Sequence, residues 1–366
     1  GGNRVTPLRG GDEAYPEMLD AIAGASRSVL LSTYIFDHDR AGTRFLEALA
    51  AAGDRGVEVR VLIDSVGARY SRPRMPRKLA ARAVPVAEFL PPSFPLRNPY
   101  VNLRNHRKIL IVDGGVAFTG GLNIREGCLL ALEPPAKAPT EDLHFRVEGP
   151  VVGSLFDAAA LDWEFATGEH LTGPAWRLDI RRGGSTLARS VPDGPDEDFE
   201  TIRTLLLGAL SVARHRVGIV TPYFLPDQVL VSALRVAALR GTEIDIVLPE
   251  RGNLRLVRWA STAQLWQPLA AGCRVWLTPE PFDHTKLMVV DGAWSFVGSA
   301  TWDARSLRLN FELNLECFDE DLAAELEGLV AEKKAAAHRL TAEELASRPL
   351  PLRLRDGVAR LFSPYL

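Results

Sequence analysis

The sequence predicts an α/β fold built as two pseudo-twofold-related lobes, each a mixed sheet flanked by helices. Three observations predict it. Strand-like apolar runs alternate with helix-like segments, a pattern that lays helices on the faces of a parallel or mixed sheet. The alternation then returns: Ser32-Thr33-Tyr34-Ile35-Phe36 aligns with Thr221-Pro222-Tyr223-Phe224, and residues 57–64 align with 243–250. Finally, the stretch His106-Arg107-Lys108-Ile109-Leu110-Ile111-Val112-Asp113 has a second copy, His284-Thr285-Lys286-Leu287-Met288-Val289-Val290-Asp291.

The elements follow in order. Residues 12–26 read as a helix, with Tyr15, Met18, Leu19 and Ile22 on one face. Residues 28–36 form a buried strand and residues 37–40 a turn. Residues 42–52 form a second helix, carrying Phe45, Leu46 and Leu49, and residues 57–64 a further strand. The second series is a helix over 196–213, a strand over 216–224, a helix over 227–239 and a strand over 243–249. Gly, Pro, Arg and Ser cluster between residues 168 and 195, so the domains are expected at 1–175 and 195–366. Lobe one alone carries a basic stretch over 66–87, with six basic and no acidic residues, followed by a Pro- and aromatic-rich stretch over 89–100. Lobe two has Arg251, Arg255, Arg258, Trp259 and Trp266 in the equivalent place. The tail over 350–366 mixes apolar residues with three Arg and reads either as a basic amphipathic helix at a membrane surface or as a core-packed helix.

Composition narrows the function classes. An apolar fraction of 46% with 24% charged residues is that of a soluble globular protein. A net charge of −3 argues against a nucleic-acid binder that works through global charge. Cys128, Cys273 and Cys317 are too few and too scattered for a disulfide framework or a zinc site, and read as buried thiols of a reducing compartment. No apolar run is long enough to span a bilayer and no signal peptide is read. The chain does not open with methionine, which leaves an upstream anchor open.

Only six of the 43 basic residues are Lys, and two of the six sit in the paired motif. His and Lys two apart on a strand point to the same face. Two His brought to one cleft at the lobe interface can divide the work: a neutral imidazole attacks an electrophile while an imidazolium protonates the leaving group. The paired Lys supply fixed positive charge for an anionic electrophile, above all a phosphodiester. Gly120, Gly121 and Asn123 lie 14, 15 and 17 residues after His106, and Gly298, Ser299 and Thr301 lie at the same offsets from His284. Free N–H groups and amide or hydroxyl donors there, from Gly121, Asn123, Ser299 and Thr301, would bind phosphate oxygens. A nucleophilic His needs its other nitrogen held. The candidates are Glu312, 28 residues after His284, and Asp142, 36 after His106, with an insertion around 131–139 accounting for the difference. Asp113 and Asp291 belong to the motif, yet following the strand they read mainly as fixing the turn. The other five His lack ligand spacing, and neither a metal site nor a cofactor is expected.

His-x-Lys-x4-Asp twice, with Gly-Gly-x-Asn and Gly-Ser-x-Thr after, resembles the phospholipase D superfamily over nearly the whole chain. Residues 105–109, 120–124, Asp162-Trp163, Thr221-Pro222-Tyr223-Phe224 and the stretch 298–312 resemble the bacterial cardiolipin synthase branch, in its short, peripheral form or as a shortened chain. The resemblance implies the phospholipase D fold and a metal-independent, two-step reaction through a covalent phosphohistidine. It implies His106 as nucleophile by family habit, His284 as acid and then base, and Lys108, Lys286, Asn123 and Ser299 holding the phosphate. It further implies phosphatidylglycerol, an anionic phospholipid, as donor and acceptor, cardiolipin as product, and a cytoplasmic place at the inner face of the cell membrane. Thr301 departs from the family's usual Asn. Open alternatives are hydrolysis with water as acceptor, and a nuclease or small-diester phosphodiesterase of the same superfamily. A duplicated scaffold without catalysis conflicts with the intact His and Lys pairs. The oligomeric state is not legible.

Overall fold

A computed structural model describes residues 1–91, 102–196 and 198–363. The chain forms two compact units: residues 1–192 with Phe311–Leu313, and residues 193–310 with 314–366.

In the first unit the elements run β1 (Arg4–Arg9), α1 (Gly10–Gly24), β2 (Ser28–Thr33), α2 (Arg40–Asp54), β3 (Glu58–Asp64), α3 (Met75–Ala81), β4 (Val86–Phe89), β5 (Ile109–Val112), β6 (Val116–Gly120), β7 (Leu143–Glu148) and α4 (Val151–Thr167). Its seven-stranded sheet has the order β1-β7-β6-β5-β2-β3-β4. β2, β3 and β4 are parallel, whereas β5, β6, β7 and β1 follow antiparallel. β2 is buried along its whole length because both sheet faces are covered. Val29, Leu31, Val61, Ile63, Leu110 and Phe118 pack with Tyr15, Met18, Ile22, Phe45 and Leu49 of α1 and α2. Helix α4 packs against β2, β4, β5, β6 and β7.

The second unit repeats the plan with α5 (Thr201–Val212), β8 (Arg216–Val220), α6 (Gln228–Leu239), β9 (Glu243–Pro249), α7 (Arg255–Gln264), β10 (Arg274–Thr278), β11 (Leu287–Val290), β12 (Trp294–Gly298), β13 (Asn310–Phe318), α8 (Glu320–Ala336), β14 (His338–Leu340) and α9 (Leu350–Arg360). The order β13-β12-β11-β8-β9-β10 matches β7-β6-β5-β2-β3-β4 strand for strand. The senses match too: β8, β9 and β10 are parallel, and β11, β12 and β13 antiparallel. β14 adds an antiparallel edge beside β10. The expected mixed sheets with flanking helices are therefore present, and the internal repeat extends to register.

Two expected strands are shorter than read. The strand over 28–36 stops at Thr33, where the Thr33 hydroxyl donates to the Ile35 carbonyl at 3.2 Å. The strand over 216–224 stops at Val220, and the Thr221 hydroxyl donates to the Tyr223 carbonyl at 3.0 Å. These side-chain turns compete with the ladder and lift one tyrosine off each strand end. Helix α5 begins at Thr201, five residues later than read, after a loop in which Asp193 accepts from the Thr201 N–H. The basic stretch is partly neutralised, by Arg74–Glu88 at 2.5 Å and Arg82–Glu47 at 2.6 Å. Most of the Pro- and aromatic-rich stretch over 89–100 lies outside the described residues.

Candidate active site

In the first unit the lead-in to β5 is pinned before His106 is reached. The Asn105 N–H donates to Asp64 at 3.0 Å and the Asn105 carboxamide oxygen accepts from the Arg107 N–H at 3.0 Å. Asp162 of α4 accepts from the Asn105 carboxamide and from the Arg107 guanidinium, each at 2.8 Å, and Arg107 donates onward to the Glu312 carbonyl at 3.0 Å. Arg107 and Asp162 are both buried, so each charge is balanced by the other. The His106 N–H donates to the Phe311 carbonyl at 2.9 Å. With its backbone fixed at both ends, His106 presents an imidazole that is 15% exposed, with Nδ1 3.1 Å from the wholly buried Glu312 carboxylate. Lys108 returns to the same face, donating to the His106 carbonyl at 2.6 Å with its ammonium 5.7 Å from the Tyr34 ring. Tyr34 itself meets the His106 ring edge to face at 5.0 Å.

The second unit builds the same lead-in from different charges. Asp283 accepts from the Thr285 N–H at 3.0 Å and pairs with Lys333 of α8 at 2.8 Å. Lys286 Nζ lies 2.7 Å from Nδ1 of His284 and also donates to the His284 carbonyl. A neutral imidazole accepting there keeps its proton on Nε2. Tyr223, at the position of Tyr34 in the repeat, has its ring 6.4 Å from that of His284.

Counting offsets sets Glu312 with the second motif, but the fold counts Phe311–Leu313 with the first unit and places Glu312 on His106. Asp142 closes over Gly121, where an added Cβ would lie 2.1 Å from Asp142 Oδ1. Sequence reasoning missed Tyr34, Tyr223 and Asp162 as groups that shape the site. The two tyrosines carried a signal, because they align in the repeat.

Four of the expected site residues make their contacts within the fold. Asp113 and Asp291 stand about 16 Å along the strand from the Lys at ~3.3 Å per residue, and their partners are local. Asp113 accepts from the N–H groups of Ser26, Arg27 and Ser28, and Asp291 from those of Arg214, His215 and Arg216. Burial raises each carboxyl, but those N–H groups outweigh it and hold both below the usual carboxylate value. Each adopts positive φ and stitches a turn to the start of the neighbouring antiparallel strand, a structural task. The Gly121 N–H already donates to the Leu143 carbonyl at 3.0 Å, so its value lies in the absent side chain. The Thr301 hydroxyl gives its one proton to Asp303, and its N–H donates to Ser306 at 2.8 Å. Neither group of Thr301 is available to a phosphate.

Asn123 differs. Its carboxamide oxygen accepts from the Ile35 N–H at 3.1 Å, and its NH2 has no partner among the described residues. Ser299 is buried at the matching place after β12. Beside Lys108 and Asp142, burial pushes the His144 imidazole down to about 3, with Asp142 raising it and Lys108 lowering it further. His144 is therefore a neutral group whose Nδ1 lacks a partner among the described residues.

Residues 18–131 and 206–332 match the family described as cardiolipin synthase, PLD-like domain. The chain belongs to that family. It is 33% identical to the major cardiolipin synthase ClsA of Bacillus subtilis over 366 residues, which is 100% of this chain and 76% of the relative. It is 36% identical to cardiolipin synthase A of Pseudomonas fluorescens over 364 residues, 100% of this chain and 75% of that one. The solved structure of a phosphatidylserine synthase from Haemophilus influenzae superposes with a TM-score of 0.77 at 14% identity, covering 99% of this chain and 95% of its own, a likeness of fold alone. As a member of the cardiolipin synthase family the chain is a phosphatidyltransferase of the phospholipase D superfamily. No helix among the described residues is long and apolar enough to cross a membrane.

Proposed function

We propose that this enzyme makes cardiolipin by moving a phosphatidyl group from one phosphatidylglycerol to another through a phosphohistidine on His106. The observation that carries the reading is the buried Glu312 carboxylate 3.1 Å from His106 Nδ1. A carboxylate there holds the Nδ1 proton and leaves the Nε2 lone pair to attack. As the N–P bond forms, the ring becomes cationic, and the same carboxylate stabilises it.

In the first step His106 Nε2 attacks phosphorus, the bond to the glycerol oxygen breaks, and His284 gives that oxygen its proton. As the acid His284 acts as the imidazolium, and giving up the proton leaves it neutral to serve as the base of the second step. In the second step His284 takes the proton of a hydroxyl on a second phosphatidylglycerol. That oxygen attacks phosphorus, the P–N bond breaks, and cardiolipin leaves with His106 restored. Lys108, Lys286, the Asn123 amide and Ser299 hold the nonbridging oxygens, and Asp142 shapes the loop at Gly121. In this reading the enzyme works peripherally at the inner face of the cell membrane.

The test is phosphoenzyme trapping with phosphatidylglycerol labelled at phosphorus, quenched in alkali, where phosphohistidine survives. Label is expected in the wild type and in His284→Ala, and absent in His106→Ala. Label that persists in His106→Ala and vanishes only in His284→Ala would reverse the roles. Phosphatidic acid as the sole lipid product would make the enzyme a hydrolase, and cleavage of single-stranded DNA with inert lipid would sink the lipid reading.

A further inference from the structure

Helix α9 is packed inside out. Its buried residues are Asp356 and Ala359, 1% and 2% exposed, whereas Leu350, Leu354, Val358 and Leu361 stand 64%, 61%, 56% and 77% exposed. These four recur at helical spacing and form one stripe along the outer face. The inner face meets α7 through a small satellite cluster of Leu225, Ala260 and Ala359, with Trp259 beside it. An apolar stripe that faces outward on a helix with Arg353, Arg355 and Arg360 is the composition of an interfacial helix.

Under α9 lies a cavity of about 400 Å³, lined by α7, by Phe224 and Leu248, and by Leu345 and Leu352 from the α9 side. A volume of that size is typical of a ligand pocket. Its walls set apolar side chains such as Leu248, Val257, Leu265, Leu277 and Leu352 beside polar ones in about equal area, and its charged lining residues are Arg258, Arg348, Arg355 and Glu250. Arg348 and Arg355 both pair with Asp356, and Arg355 also lies over the Trp259 ring at 4.3 Å. Three arginines against Glu250 and Asp356 leave the mouth net positive. Within the wall the Trp259 indole N–H is buried and has no partner among the described residues, a donor that matches an ester carbonyl. The cavity also reaches Tyr223, whose ring neighbours His284.

We propose that α9 lays its apolar stripe into an anionic phospholipid bilayer, and that the cavity beneath it takes one acyl chain of a lipid drawn from that leaflet. The proposal deepens the phosphatidylglycerol reading and rests on it, because the lipid so held has its headgroup on the side of Tyr223 and His284. The arginines meet the anionic surface, the Leu stripe meets the acyl region, and the Trp259 N–H meets the ester at the top of the bound chain.

The test reads binding, not turnover. The full chain is mixed with phosphatidylglycerol vesicles carrying a photoactivatable diazirine on one acyl chain, irradiated and mapped. Label is expected in residues 254–265 and 345–358; label confined to other parts of the chain overturns the proposal. In co-sedimentation, Leu354→Asp/Val358→Asp should weaken binding to phosphatidylglycerol vesicles at least tenfold, and phosphatidylcholine vesicles should bind the wild type at least tenfold more weakly. Unchanged binding in either comparison overturns it. The labelling experiment uses only wild-type protein, so it decides the matter even where the variant does not fold. Label at the expected segments without turnover of phosphatidylglycerol sinks the functional reading and keeps this one, whereas turnover with label elsewhere does the reverse.

Discussion

Glu312→Gln isolates what the buried carboxylate contributes. The amide keeps the shape and volume of the acid, and the backbone carbonyl that holds Arg107 is untouched. What changes is charge: a charge-assisted bond to His106 becomes a neutral one. The difference is about 1–2 kcal/mol. Glu312 is fully buried and the imidazole nearly so, which keeps water from screening the pair and favours the upper part of that range. The ring gains its charge on the way to the phosphohistidine, so the loss falls on the transition state of the first step. It amounts to about 5–30-fold in the rate of phosphoenzyme formation. Quenched-flow single turnovers with labelled phosphatidylglycerol measure that rate, and KM should move less than threefold. Glu312→Ala should be slower again, because it leaves the Nδ1 proton unpaired. A first-step rate within twofold of wild type in Glu312→Gln refutes the assignment of Glu312 to a charge-stabilising task.

Three more variants test the surrounding structure. Asp113→Asn should lower stability by about 1–3 kcal/mol, since three backbone N–H groups lose their carboxylate, while kcat of the folded enzyme stays within threefold; urea unfolding beside steady-state assays separates the two. Asp162→Ala leaves Arg107 buried without its partner and should cost about 3–5 kcal/mol, read as a fall in the urea midpoint. His144 is held near 3 against an ordinary 6.5, so the unfolded chain binds the extra proton and stability falls as pH drops from 6.5 toward 3. At about 1.4 kcal/mol per pH unit, His144→Asn should recover roughly 2 kcal/mol of the loss between pH 6.5 and 5.0, and an identical acid slope in variant and wild type refutes it.

Much of this architecture was legible because the duplicated motif carries both chemistry and register. His and Lys two apart, four apolar residues and an Asp specify a strand with a reactive end and a turned end, and β5 and β11 have that form. The turned end was readable from Asp and Gly together, and both aspartates sit at positive φ. What could not be read was who partners whom. The Thr301 proton goes to Asp303, and the Gly121 N–H to Leu143. Both outcomes depend on a loop folding back by a few ångströms, which residue types do not reveal. Glu312 escaped for a different reason: offset counting assumes that each half keeps its own carboxylate, whereas three residues at the start of β13 belong with the first unit. Helix α9 was ambiguous in sequence because an apolar stripe looks the same whether it faces the core or solvent. Only burial separates the two, and the stripe is outside.

The two lead-ins show how a duplicated fold can carry different chemistry at equal electrostatic cost. In the first, Asn105 is neutral and Arg107 is balanced by Asp162 from the helix after β7. In the second, Thr285 is neutral and Asp283 is balanced by Lys333 from the helix after β13. The signs are reversed: a buried cation is balanced by a carboxylate of α4 in the first, and a buried carboxylate by an ammonium of α8 in the second. The groups that touch the two rings differ as well. On His106 that neighbour is a carboxylate, which favours a cation forming there. On His284 it is the Lys286 ammonium. Exchanging the carboxylate for a neutral group should therefore slow bond formation at His106 without handing the nucleophile's task to His284, and the labelled phosphate should still be found on His106 in Glu312→Gln.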